Sequence, residues 1–134
     1  MADYSPVETG GSSPFPMTAA AAITGGQLLD ASTAGTVVPA AGTLHPIGVA
    51  AHDAPNGGRV TVWPISGVHH ELVIENSAAV AVGGPITASA SAAGRIKSGT
   101  LATLAAAGML LGVATTSGTG DSGGTVRARF VGVA

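Results

Sequence analysis

Short runs of Val, Ile and Thr alternate with Gly and Pro at intervals of about 8–12 residues along most of this chain, the rhythm of an all-β sandwich or barrel. Strands are expected at 26–30, 36–40, 47–51, 59–64, 69–75, 85–88, 95–97, 110–114 and 125–131. The last has the clearest alternation: Val126, Ala128 and Phe130 point one way, Thr125, Arg127 and Arg129 the other. In 101–108, Leu101, Leu104 and Ala105 fall on one helical face and Gly108 suits a C-cap, so at most one short helix is expected. Residues 1–18 show no alternation and contain Pro6, Pro14 and Pro16. They read as an extended N-terminal arm, anchored by Tyr4, Val7, Phe15 and Met17 and dispensable for folding, ahead of a β domain over 19–134.

The domain carries an internal repeat. GGQLLDASTAG from Gly25 matches GGPITASASAAG from Gly83, and IGVA at Ile47 matches LGVA at Leu111. GGRVTVW from Gly57 then matches GGTVRARF from Gly123. The separation between partners grows along the chain, as loop insertions in the second copy would make it. Two similar halves, about 25–64 and 83–131, are therefore expected to share one core. Two copies are too few for a solenoid.

Composition narrows the function. Only 9% of residues are charged and the net charge is -2 with five Lys plus Arg, which argues against nucleic-acid binding. Ordinary soluble domains carry about 25%. So low a value fits either a surface made soluble by Ser, Thr, Gly and Ala or a surface covered in an assembly. No run reaches the roughly 20 apolar residues of a membrane span. The acidic, Pro-containing N-terminus does not read as a secretory signal. Without Cys there are no disulfides or thiolate metal sites.

Two motifs invite chemistry. GDSGG, 120–124, matches the nucleophile segment of chymotrypsin-like proteases, with Ser122 as nucleophile and His52 as base. No Asp lies between Asp53 and Asp121 to orient that base, too little chain follows Ser122, and the repeat sets GDSGG against the Asn-Gly turn APNGG, 54–58. It reads as a turn, and no catalytic residue is assigned. His69-His70-Glu71, with His52 and His45, suggests a metal, but neighbouring strand residues face opposite ways and chelate poorly. One His is expected outside and one packed beside Leu72 and Ile74. No Gly pair forms a nucleotide loop. No cofactor or metal is assigned. Interface candidates are Arg59, Arg127 and Arg129, on the two strands that the repeat makes equivalent, and Trp63, which it aligns with Arg129.

The order of blocks ADYSPV, AAAAITGGQLL, PIGVAAHDAPNGGRVTVW, GVHHELV, GGPITASASAAGRI and LLGVATTSGTGDSGGTVRARFVG resembles the capsid cement, or decoration, proteins of tailed bacteriophages, in particular the small Ala/Gly-rich type of actinobacterial phages. The resemblance covers nearly the whole chain and implies a structural protein on the outer surface of the virion capsid. There it would form a homotrimer, bind the major capsid protein and stabilise contacts between its subunits, with the arm reaching along the shell. Neither nucleic acid nor membrane is implied as a partner. A β domain of another surface or tail assembly is the alternative, and a hydrolase using Ser122 a distant third.

Overall fold

The computed structural model of the chain describes residues 3–42, 46–76, 78–120 and 127–133. These residues form twelve short strands and one helix. The first half contributes β1 (Phe15–Ala19), β2 (Leu28–Ala31), β3 (Thr36–Pro39), β4 (Pro46–Ala50) and β5 (Arg59–Pro64), which close into a barrel in the order β1-β3-β2-β4-β5. The second half contributes β6 (His69–Val73), β8 (Pro85–Ala88), β9 (Ile96–Ser98), β10 (Gly112–Ala114) and β12 (Arg127–Gly132), ordered β6-β12-β10-β8-β9. A small ribbon, β7 (Ala79–Val80) with β11 (Gly118–Thr119), and helix α1 (Leu101–Ala107) lie between these strands in sequence. The fold is all-β with one short helix.

The repeat is legible in the pairing. Half one joins β3 to β2, β2 to β4 and β4 to β5; half two joins β9 to β8, β8 to β10 and β10 to β12. A fifth strand completes each unit, β1 against β5 and β6 against β12. Even the closure recurs. The end of β1 runs parallel to β3 at Ala19–Val37, and the chain just beyond β6 runs parallel to β9 at Ile74–Ile96. Ala20 N–H donates to the Val37 carbonyl at 2.9 Å, and Glu75 N–H to the Ile96 carbonyl at 2.8 Å. Equivalent inward positions are apolar in both copies: Leu29 and Ile86, Val37 and Ile96, Ala50 and Ala114, Val60 and Ala128, Val62 and Phe130.

These registers correct the alignment read from sequence. Gly26, not Gly25, is the counterpart of Gly83: their N–H groups donate to the Ala50 and Ala114 carbonyls, each at 2.8 Å. Arg59 corresponds to Arg127, and Trp63 to Val131 rather than Arg129. A Gly pair carries no register of its own, so the Gly-Gly steps of the two copies need not coincide.

Leu28 and Val49 leave the barrel on its outer side and join the cluster around Phe130, Leu72 and Ile86 in the second half. Backbone bonds stitch the junction, from Leu28 N–H to the Gly94 carbonyl at 3.0 Å and from Gly94 N–H to the Ala40 carbonyl at 2.8 Å. Burying each large aliphatic or aromatic side chain contributes about 1.5–3 kcal/mol, so this shared cluster couples the two halves.

Helix α1 ends as its sequence suggests, with Gly108 in the left-handed region at φ 70°. Its expected face does not form, since only Leu104 is buried while Leu101 and Ala105 are exposed. Residues 3–14 precede the first strand with bridges at Asp3 and Glu8 and a turn at Gly10 and Gly11, and that strand starts at Phe15, inside the segment assigned to the arm. Phe15 and Met17 pack against the core of the first barrel and help to close it.

Candidate functional site

The N-terminal residues ahead of β1 form a strap across both halves. Tyr4 N–H donates to the Ala51 carbonyl at 2.7 Å, and Asp3 bridges to His52. Further on, Val7 N–H donates to the His69 carbonyl and His69 N–H to the Glu8 carbonyl, covering an edge of β6 that would otherwise be free. The Tyr4 side chain crosses to the second half and lies against His70, ring centroids 5.9 Å apart, and Phe130 packs on the same imidazole at 5.7 Å.

The hydrogen bonds of His70 fix its tautomer. Nε2 lies 2.8 Å from the Pro64 carbonyl, which only accepts, so Nε2 carries the proton. Nδ1 then accepts from the Tyr4 hydroxyl at 2.8 Å, and that hydroxyl accepts the Glu71 N–H at 3.1 Å. A neutral His70 satisfies every group in this chain. Burial pushes its pKa below the ordinary value, against a smaller opposing effect of the Pro64 bond. Burial also pushes the Tyr4 hydroxyl from 10.0 up to about 12.

Stability must follow pH accordingly. An unfolded His titrates near pH 6.5, above folded His70, so as pH falls through that value the unfolded chain takes up protons the folded one refuses. Melting temperature is therefore expected to fall below about pH 6.5 and to level off below the folded pKa of His70. At the alkaline end it is expected to fall again between pH 10.0 and about 12, as unfolded Tyr4 ionises first. His70→Phe, which copies the Phe15 position of the first barrel, should flatten the acid limb. An unchanged slope between pH 7.5 and 5 in thermal melts of that variant would refute the assignment.

Of the four expected arm anchors, Tyr4, Phe15 and Met17 are packed on the domain itself, and only Val7, at 40% exposure, offers its side chain outward. The arginines separate. Arg127 and Arg129 alternate with buried Ala128 and Phe130 and share the outer face of β12. Arg129 Nε donates to Glu71 Oε2 at 2.8 Å in an exposed pair, worth at most about 1 kcal/mol. Arg127 stands beside Val73 on that face. Arg59 is exposed on the other half, opposite Thr18, and Trp63 is half-buried opposite Val49.

One residue escaped the sequence reading. Arg95, which follows Gly94 just before β9, joins Arg127 in lining an open groove of about 260 Å³ at the junction of the halves. Its floor and rim include Val73, Gly25, Gly26 and Gly94. Arg95 Nη1 donates to Asn76 Oδ1 at 3.0 Å, a neutral partner that does not offset its charge. An isolated Arg in a Gly-rich turn has no periodic pattern to mark it.

The chemical motifs resolve into structural roles where they are described. His52 Nδ1–H donates to the Asp53 carbonyl at 2.8 Å and Nε2 accepts the Thr61 N–H at 3.1 Å, so both ring nitrogens serve the connection between β4 and β5. His69 and His70 face opposite ways, His69 outward to Thr115 Oγ1 at 2.9 Å and His70 inward beside Leu72. In APNGG, Gly58 N–H donates to the Pro55 carbonyl at 2.9 Å and Gly57 has φ 86°, a tight turn. His45, Ser122 and the rest of GDSGG after Gly120 lie outside the described residues.

No curated protein matches the chain. The fold is similar to the head fiber gp8.5 N base of bacteriophage phi29, whose crystal structure aligns with a TM-score of 0.63 over 89% of this chain and 92% of that one, at 16% identity. So low an identity speaks to fold alone. The model of the phage cement protein family matches residues 7–130, from the strap through the last long strand. The chain belongs to the phage cement protein family.

Proposed function

We propose that this chain is a capsid cement protein, which sits as a homotrimer on the outer surface of an expanded phage head and ties neighbouring major capsid subunits together. The family match over residues 7–130 carries this reading. The physical character of the molecule supports it. A cement adds modest interface area at each of many sites, so no single contact has to be strong. A surface with few charges loses little to desolvation when covered. The strap brings Val7 to the surface beside β6, and we assign it to a shell or neighbour contact. The role is structural and needs no catalytic group.

Purified protein is expected to bind expanded heads assembled without it and to raise their rupture temperature, followed by light scattering and calorimetry. Heads that stay bare in the presence of folded protein would sink the reading. Val7→Asp should lower occupancy by about tenfold while leaving the melting temperature of the free protein unchanged, since a charge at an exposed position costs little until it is covered.

A further inference from the structure

The groove between the halves has a composition that the fold itself does not require. Arg127 and Val73 are paired across β12 and β6, so both side chains leave the sheet on the same side, and Arg95 faces the same opening. No carboxylate among the described residues lines the groove, and Asn76 only orients the Arg95 guanidinium. Gly25 and Gly26 keep part of its rim low, beside Thr24 and Gln27, whose polar groups add hydrogen-bonding capacity at the opening. Two guanidinium groups, an apolar patch at Val73 and about 260 Å³ of space suit one short acidic side chain, its methylenes on Val73 and its oxygens on the planar donors.

We propose that this groove is a docking site for a carboxylate side chain of a protein partner, an Asp or Glu on an exposed segment of the shell. The identity of the partner rests on the cement reading; the chemistry of the groove does not. A nucleic acid fits less well. The chain has only five Lys plus Arg, and the next arginine along the outer face of β12, Arg129, is paired with Glu71. Among the expected interface arginines, Arg127 is thus the one assigned to the partner, with Arg95 as its companion, and Arg129 is held by Glu71.

The test uses the full chain and two readouts. In NMR titrations the capped peptide acetyl-Ala-Glu-Asp-Ala-amide is expected to move the amide signals of Gly25, Gly26 and Gly94 saturably, and acetyl-Ala-Gln-Asn-Ala-amide is not. The double variant Arg95→Gln/Arg127→Gln should abolish these shifts and lower occupancy on expanded heads by about tenfold or more. Lys97→Gln, which removes a cation away from the groove, should change neither. The proposal is overturned if the acidic peptide gives no saturable shift, if the neutral peptide acts equally, or if inorganic phosphate or an oligothymidylate binds as tightly as the peptide. Full occupancy of heads by the double variant also overturns it, while leaving the cement reading intact. Failure of the unmodified chain to bind heads removes the cement reading, and the peptide titration still decides the groove.

Discussion

A chain lacking residues 1–18 is expected to lose its cooperative fold, not merely its reach. The deletion takes four of the five residues of β1. That strand bonds to β5 on one side and β3 on the other, so its loss opens the first barrel and leaves two unpaired edges. It uncovers Val37, Val60 and Val62 by removing Phe15 and Met17, and it removes Tyr4 from the ring of His70. Stripping two large side chains from a core costs about 3–5 kcal/mol even before the lost ladder bonds, at roughly 1 kcal/mol each, are added. A domain with a total stability of about 5–15 kcal/mol does not comfortably survive that. Deleting residues 1–8 instead removes the strap and spares β1, and should lower the melting temperature while keeping a single sharp transition. Circular dichroism melts of the two truncations decide the matter. A sharp, native-like transition in the longer deletion would mean that β1 is not integral to the barrel.

Why this strand was hidden is a matter of Pro16. A Pro inside a run ordinarily argues against a paired strand, since it lacks an N–H for the ladder. Here the N–H groups of Thr18 and Ala20 point towards β3, donating to the Gly35 and Val37 carbonyls, so the nitrogen of Pro16 lies on that same side of the strand. Pairing with β3 begins only at Thr18. At Pro16 the strand therefore has one neighbour, β5, and needs no donor towards the other. The sequence pattern shows the Pro but not where the neighbouring strand starts.

Other features were legible because their cause is local. The alternation over Arg127–Gly132 reads directly as inside and outside, and parity alone places His70 with Leu72. What parity cannot supply is the partner. Tyr4 reaches His70 from 66 positions away in sequence, and Arg95 nears Arg127 only because the chain just beyond β6 bridges to β9 and brings the two ends of the second sheet together. The candidate groove was therefore half visible, as one arginine of two. The N-terminal segment is distinct in the sequence for its lack of alternation, but nothing in it shows that it is already committed to its own domain. The two-residue strands β7 and β11 pair only with each other, and so short a ribbon has no period to detect.

The repeated IGVA and LGVA blocks make the sharpest quantitative claim about the duplication. Gly48 lies on β4 and Gly112 on β10, at equivalent registers. A Cβ on Gly48 would run into the Trp63 carbonyl and the Val62 side chain; one on Gly112 would run into the Val131 carbonyl and the Phe130 ring. Neither glycine adopts the left-handed conformation, so the requirement is for space alone. The obstacle in each case includes a main-chain carbonyl of the adjacent ladder strand, which cannot move without disturbing that ladder. Overpacking of this kind costs about 1–3 kcal/mol and more where nothing can yield. Gly48→Ala and Gly112→Ala are each expected near or above the top of that range, and within about 1 kcal/mol of each other, since the same geometry is met twice. Gly57→Ala separates space from strain: nothing crowds its Cβ, but φ is 86°, so its cost should stay at about 1–2 kcal/mol. Urea unfolding of the three variants reads these differences directly. A Gly112→Ala protein as stable as the parent would show that β10 and β12 do not approach so closely, and with that the second half would cease to be a structural copy of the first.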